Sequence, residues 1–451
     1  MSEPITRSSG LGSVRRYFRA FGILRQTKPE YWHVQAISIL DYTAYFALTN
    51  VGVVFLSEDF GFSDRQAGWA FTLLTASVAL CLLLMGSVAD WPGIRRSLKI
   101  SMSGMLISRL GIALCALLPN LPYRGVLVVV ALGLMAPFVA LWQTTKNAAI
   151  KRFTNEQSRG AGFNLAYLSM NAGALIAGLL IDLVRLKLGV SNGWIIVFGV
   201  FSALASLIIT LRFIREEEYL GNPEATPTSR GRHPLANTWL VIRERTFWRF
   251  IVLVVLLLGV RLIFVWGSYI TPKFALRVIG PDAPIGLLST INPTVIVLGL
   301  ILLIPILRRY NVFSMLVYGA MVSAGSVFLM VYPSWGATAA YFLIVYTVIF
   351  SIGEFIWSPR LTEYTVAIAP RGQEATYVGL ASFPVFLAKT IGSALSGSML
   401  SRWIPELPNG EVLRDRLAAG KVPFADSPSA LWLLVGVLAM TGPVIALMFR
   451  G

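Results

Sequence analysis

Ionisable side chains inside apolar stretches are the residues of this chain best placed to do chemistry. A charge at the centre of a bilayer costs at least about 2.5–3.5 kcal/mol, so each one is a candidate functional residue. Six residues of this kind occur: Asp41, Arg109, Lys146, Arg261, Glu354 and Lys389. An acid and a base on opposite sides of a cavity can hold the two ends of a zwitterion. Arg109 has an alternative role, which is to brace a contact between helices.

The composition places these residues in a membrane protein. Of the 451 residues, 56% are hydrophobic and 13% are charged, whereas about a quarter of the residues of a soluble domain are charged. A bilayer-spanning helix needs about 20 mostly apolar residues. Twelve stretches meet this requirement: 34–56, 66–89, 98–118, 126–149, 163–183, 194–214, 250–270, 286–307, 313–332, 337–357, 377–400 and 431–448.

The formal net charge of +16 would suit a nucleic-acid partner, but the basic residues cluster in particular loops. They precede the first stretch and follow the second, fourth, sixth and eighth, as the positive-inside rule predicts for cytoplasmic loops. We therefore exclude nucleic acid as a partner. We expect a multi-pass protein of the plasma (inner) membrane, in contact with the lipid bilayer, with both termini in the cytoplasm.

The longest polar interior segment divides the twelve stretches into six and six. It begins at Arg215, is rich in glycine and proline, and ends near Arg245. We therefore expect an all-α membrane protein of twelve transmembrane helices in two pseudo-symmetric halves. The predicted units are a basic cytoplasmic segment (1–30), a six-helix bundle (31–214), a cytoplasmic linker (215–246) and a second six-helix bundle (247–451).

The connection after the second stretch carries a recognisable spacing of glycines and charges. Gly86 is followed by Asp90, then by Gly93 and the basic pair Arg95 and Arg96. Glycine permits a tight turn, and Asp90 can pair with a cation or a helix end across a cytoplasmic gate. This segment resembles the signature of the major facilitator superfamily, in which the substrate binds at the midplane between two halves. An ordinary polar turn is the alternative.

Four further segments resemble the proton-dependent oligopeptide transporters, a branch of that superfamily. The first is residues 162–176, GFNLAYLSMNAGALI, in the fifth stretch. The second is residues 353–359, GEFIWSP, followed by Ala369 and Pro370. The pairs Lys146–Asn147 and Asn292–Pro293 complete the resemblance, which covers the whole topology but is specific in these segments only.

The resemblance implies a role for each matching residue. Glu354 would receive the amino group of the substrate, and Lys146 would hold its carboxylate or pair with an acid during proton coupling. The other residues expected to line the substrate site are Tyr45, Asn164, Tyr167, Asn171, Asn292, Trp357 and Ser358. Helix packing is the alternative role for Tyr167 and Trp357, and a static ion pair is the alternative for Glu354.

The first stretch departs from the family pattern. The family carries two glutamates and an arginine before its paired tyrosines; here Ile37 and Leu40 replace the glutamates and Asp41 replaces the arginine. The family also carries an acid in the seventh stretch, where this chain has Arg261. We therefore predict an inverted pair, Asp41 with Arg261, which opens and closes with the outer gate and supplies a coupling site.

These features predict a secondary transporter for a peptide or a peptide-like amphoteric molecule, driven by protons and acting as a monomer. An exporter of a non-peptide compound and a non-transporting receptor of the same fold remain open. We expect no enzyme activity, no cofactor and no metal, since the histidines are only His33 and His233 and no nucleotide-binding motif occurs. The long connection 402–428 is either a solvated cap or an outer funnel.

Overall fold

The computed structural model of the chain describes residues 22–85, 93–215, 243, 248, 251–252, 255, 258–307, 310–368, 374–408 and 411–448. Its long helices, numbered in chain order, are α1 (Pro29–Phe60), α2 (Asp64–Met85), α3 (Ile94–Leu117), α4 (Arg124–Phe153), α5 (Glu156–Asp182), α6 (Gly193–Phe213), α7 (Leu258–Tyr269), α8 (Ile285–Leu307), α9 (Val312–Ser326), α10 (Gly336–Ile368), α11 (Glu374–Trp403) and α12 (Pro428–Met448). Two short helices, Thr271–Phe274 and Leu413–Ala418, stay unlabelled. The described residues contain no β-strand.

Eight of the described helices are long and apolar enough to cross a membrane, and there are nine if α7 and the bent segment after it form one span. The bend between Leu258–Tyr269 and Thr271–Ile279 is 52°. A helix satisfies its own backbone polar groups, which is required where no water is present. The protein is therefore a multi-pass integral membrane protein, and each stretch predicted from the sequence overlaps one of the labelled helices.

The ends of the helices follow from local sequence. Helix α1 begins with Pro29, whose fixed φ suits the first helical position, and ends at Gly61 in the left-handed conformation with φ of 72°. Helix α5 begins with a capping box in which Asn155 accepts from the Ser158 amide. Because this cap sets the start at Glu156, α5 extends well beyond the predicted start at residue 163.

Two close helix contacts join α1–α6 to α7–α12. Helix α2 packs on α11, and helix α5 packs on α8. Glycines permit both approaches: a Cβ atom at Gly68 would lie 3.0 Å from the Ser393 carbonyl oxygen, and one at Gly178 would lie 2.5 Å from the Gly286 carbonyl oxygen. Small residues let helix backbones approach closely in membranes, and here they hold the two groups of helices together at one end.

Several predicted features lie outside the described residues. These include Asp90, the pair Ala369–Pro370, nearly all of the linker 215–246 and most of the segment 1–30. The described part of the long connection 402–428 is folded, because the Trp403 indole donates a hydrogen bond of 2.9 Å to the Ala425 carbonyl oxygen. It also contains the helix Leu413–Ala418, in which Leu413 is buried.

Candidate functional site

A cavity between five helices contains the most densely grouped of the predicted site residues. It lies between α1, α5, α7, α8 and α10, and holds about 960 Å³ of empty space, part of it open to solvent. Its polar lining residues include Asn50, Tyr167, Asn171, Ser268, Ser289, Asn292, Thr347 and Glu354. We call it the main cavity.

Glu354 is the acid of the main cavity. Its residue is only 6% exposed, and its carboxylate accepts a 2.7 Å hydrogen bond from the Asn292 side-chain amide. The same amide donates a 3.0 Å hydrogen bond to the Ser351 hydroxyl group. Asn292 therefore fixes the orientation of the carboxylate, and links helix α8 to helix α10 at this depth.

Arg261 is a cation close to this acid. Its guanidinium carbon lies 4.5 Å from the centre of the Trp357 ring, and it is close enough to Glu354 and Tyr167 to interact with them electrostatically. Its buried Nε atom has no hydrogen-bond partner among the described residues. A guanidinium group stacked on an aromatic face is held in place while its donors stay free for a further group.

Two lysines bind tyrosines on one face of helix α1. The Lys146 ammonium group of α4 donates a hydrogen bond to the Tyr42 hydroxyl group. The Lys389 ammonium group of α11 donates one of 3.2 Å to the Tyr45 hydroxyl group. Residues three apart in a helix lie on the same face. The two ammonium groups therefore approach the same face of α1. Lys146 belongs to a helix that precedes the polar segment 215–246 in the sequence, and Lys389 belongs to one that follows it.

The predicted pair of Asp41 and Arg261 is wrong for this structure. The Asp41 carboxylate pairs instead with the Arg109 guanidinium of α3, at 2.6 Å, and both side chains are less than a tenth exposed. Arg109 also donates a weak 3.5 Å hydrogen bond to the Gly199 carbonyl oxygen of α6. Arg109 therefore braces the contact between α1, α3 and α6, which was its alternative role.

The structure brings four of the predicted substrate residues together and separates the others. Tyr167, Asn171, Asn292 and Glu354 line the main cavity. The other predicted residues are not among its described lining residues: Tyr45, Lys146, Asn164, Trp357 and Ser358. Asn164 is exposed at the other end of α5. Trp357 is buried, and its indole donates a 3.3 Å hydrogen bond to the Ser323 hydroxyl group, so it packs α10 on α9. Ser358 lies beside Tyr167.

Part of the cavity lining consists of residues that the sequence did not predict. Asn50 and Ser268 both line the main cavity, and the Ser268 hydroxyl group donates a 3.0 Å hydrogen bond to the Asn50 side-chain oxygen. The signal for both is a polar residue in the middle of an apolar stretch. That signal is weak, because serines and threonines occur throughout these helices and commonly bond to their own backbone.

Polar contacts join the two groups of helices at one end of the main cavity. Asp64, at the start of α2, pairs with Arg277 at 2.6 Å and with Lys273 at 3.4 Å. Arg277 also pairs with Glu406 at 2.8 Å. We call these four residues the charged cluster. It lies at the end where α1 finishes and α2 begins.

A second polar contact lies at the same end. The Asp182 carboxylate, at the end of α5, accepts hydrogen bonds of 2.8 Å and 2.7 Å from the backbone amides of Gly286 and Leu287 in α8. The close approach of Gly178 to Gly286 is one turn away. At the opposite end, the Arg95 side chain donates a 3.2 Å hydrogen bond to the Leu211 carbonyl oxygen, within α1–α6, and Arg96 is exposed.

Comparison with known proteins agrees with this arrangement. The family model described as Major Facilitator Superfamily matches residues 35–397. No curated protein matches the chain in sequence.

Several solved structures share the fold. A POT family transporter in complex with a thioalcohol conjugated peptide superposes with a TM-score of 0.70 at 15% identity, over 93% of this chain and 96% of that one. A POT family transporter in complex with 5-aminolevulinic acid gives the same four values. The nucleoside transporter NupG gives 0.67 at 14% identity, over 93% and 100%. At these identities the likeness shows the fold alone, which is that of membrane transporters.

Proposed function

This chain belongs to the major facilitator superfamily, and we propose that it is a secondary active transporter of a peptide or peptide-like amphoteric compound. It works by alternating access and is coupled to protons. In this proposal twelve helices form two six-helix halves, 31–214 and 247–451, joined by the linker 215–246. The protein acts as a monomer in the plasma (inner) membrane, and both termini lie in the cytoplasm.

The observation that carries the proposal is the buried, oriented carboxylate of Glu354 in the main cavity. An amphoteric compound brings an amino group that this carboxylate can pair with. Its carboxylate can take the place of the Tyr42 hydroxyl group at Lys146, which lies on α4 in the other half. A compound held at both ends would therefore join the two halves.

Two of the superposed transporters support this choice of substrate class, because they hold a thioalcohol conjugated peptide and 5-aminolevulinic acid. With cytoplasmic termini, the end closed by the charged cluster is the outer side. The structure would then be inward-facing. Proton coupling in this proposal uses Glu354, because Asp41 already has a buried partner in Arg109.

The test is uptake of labelled Ala-Ala into proteoliposomes with and without an inward proton gradient. We expect the wild type to accumulate the peptide only with the gradient, and the variant Glu354→Gln to lose this accumulation. Glu156→Gln is the matched control, because Glu156 is exposed at the start of α5. Absence of uptake by folded wild-type protein, or full gradient-driven uptake by Glu354→Gln, would refute the proposal.

A second candidate substrate is a nucleoside, because the nucleoside transporter NupG shares the fold. Aromatic residues of the main cavity, among them Phe46, Phe264 and Phe350, could stack on a base. Labelled uridine in the same vesicles separates the two. Gradient-driven uridine uptake that excess Ala-Ala leaves unchanged would favour the nucleoside.

A further inference from the structure

A second cavity lies next to the main one, on the other side of the contact between α1 and α7. Tyr45 and Tyr269 line it, whereas Phe46 and Ser268, their neighbours in sequence, line the main cavity. It is much smaller than the main cavity, and the 370 Å³ of empty space within its outline includes open solvent. We call it the Lys389 cavity, because Lys389 is the one charged residue among its described lining residues.

Among the described residues, no acid balances the charge of Lys389. Its ammonium group donates a hydrogen bond of 3.2 Å to the Tyr45 hydroxyl group and lies 5.6 Å from the centre of the Tyr45 ring. No ion pair joins Lys389 to a carboxylate within the described part of the chain. A tyrosine hydroxyl group is neutral near pH 7, so it orients the ammonium group without neutralising it.

Other hydrogen-bond donors surround the same space. Gln143 of α4 and Tyr269 of α7 both line the cavity, and neither side chain is bonded to another described residue. An amide and a hydroxyl group can both donate to an acid group. Thr49 and Thr75 instead donate to backbone carbonyl oxygens of their own helices. Among the described lining residues, the donors left for a ligand include the Gln143 amide, the Tyr269 hydroxyl group and the remaining N–H groups of the Lys389 ammonium, which has three donors in all.

We propose that the Lys389 cavity binds a second acid group of the transported compound. The preferred substrate is then an amphoteric molecule of net negative charge, such as a dipeptide with an acidic side chain. This inference rests on the proposed function, in which Glu354 holds the amino group and Lys146 holds the terminal carboxylate. The second carboxylate accepts hydrogen bonds from Lys389, Gln143 and Tyr269.

Charge decides which side chain the cavity prefers. A cationic side chain would be repelled by the ammonium group of Lys389. A neutral amide would replace the Tyr45 hydroxyl group without changing the charge balance. A carboxylate makes charge-assisted hydrogen bonds, which are roughly twice as strong as neutral ones, and it removes the cost of an unbalanced charge within the membrane.

The test is a competition against uptake of labelled Ala-Ala by Ala-Glu and Ala-Gln, two peptides of nearly equal size. We expect Ala-Glu to inhibit the wild type at a concentration lower by about tenfold, the effect of roughly 1.4 kcal/mol. Lys389→Gln should abolish this preference, so that Ala-Glu and Ala-Gln inhibit at similar concentrations. Lys389→Arg, which keeps the charge, should retain it.

Equal inhibition of the wild type by the two peptides would overturn the acid site and leave the proposed function standing. Absence of Ala-Ala uptake by folded protein would overturn the proposed function instead, and the competition could not be measured. In that case thermal stabilisation by glutarate is compared with that by neutral glutaramide. Stabilisation by glutarate alone, lost in Lys389→Gln, would support the site; equal stabilisation by both compounds would overturn it.

Discussion

Asp64 and Arg277 form a two-point ion pair, with oxygen–nitrogen distances of 2.6 and 3.1 Å, between helix α2 and the segment that follows α7. Both side chains are about nine-tenths buried. A bidentate pair of this kind is geometrically specific, so it holds the two groups of helices in one arrangement at the closed end. In an alternating-access cycle this pair would have to separate on every turnover.

Arg277→Ala should therefore open the closed end, because Asp64 would keep only Lys273 as a partner. The measurement first replaces the cysteines Cys81 and Cys115. It then introduces Gly267→Cys, at a position in the main cavity with room for a side chain. A maleimide that cannot cross the membrane should label this cysteine faster from the outer side. Arg414→Ala is the control, because Arg414 pairs with its neighbour Asp415. Equal labelling in both variants would contradict a gating role.

The contact of α5 with α8 gives a second way to prevent closure. In Gly178→Ala the new Cβ atom would lie 2.5 Å from the Gly286 carbonyl oxygen, and such overpacking costs about 1–3 kcal/mol. We expect slower uptake and more outer-side labelling. Gly160→Ala, on the same helix with nothing within 4 Å, should behave like the wild type. Similar uptake by both variants would argue against the contact as a gate.

The buried pair of Asp41 and Arg109 should matter for stability rather than for coupling. Asp41→Asn leaves Arg109 buried without an acid, a loss that typically costs about 3–5 kcal/mol. We expect a clear drop in the melting temperature of the purified protein, partly recovered in the double variant Asp41→Asn with Arg109→Gln. If Asp41→Asn melted normally but lost gradient-driven uptake, Asp41 would be a coupling residue after all.

Lys146 should affect substrate affinity. If it holds the substrate carboxylate, Lys146→Gln should raise the KM for Ala-Ala by at least about tenfold, the effect of one lost charged hydrogen bond. Tyr42→Phe should keep transport, because it removes only the resting partner of Lys146. Lys151→Gln, at an exposed position near the end of α4, is the matched control. An unchanged KM in Lys146→Gln would refute this role.

The sequence predicted the positions of the helices better than it predicted which side chains pair between them. A long apolar stretch must be helical in a membrane, so the positions of α1 to α12 follow from composition. It could not show that Asp41 pairs with Arg109 rather than with Arg261. Both the lipid-facing side and the packed side of such a helix are apolar, so no polar stripe tells which way Asp41 points.

The same limitation explains the outcome for the site. Tyr167, Asn171, Asn292 and Glu354 were found through family-like segments, and all four line the main cavity. Trp357 belongs to the same kind of segment, yet it packs against Ser323. Glu354 and Trp357 are three residues apart on α10, yet only Glu354 lines the cavity. Sequence spacing places both on one side of the helix but does not show which of them reaches the cavity.

The contact of Asp182 with α8 has two effects: it joins the two groups of helices at this end, and it caps helix α8. The first amides of a helix have no partner within it, and here the residue that caps two of them comes from α5 instead of from the preceding turn. Each opening of this end would uncap α8 and leave those amides to water. A cap is worth about 0.5–2 kcal/mol, so this one carboxylate can set the resting balance between the two sides of the membrane.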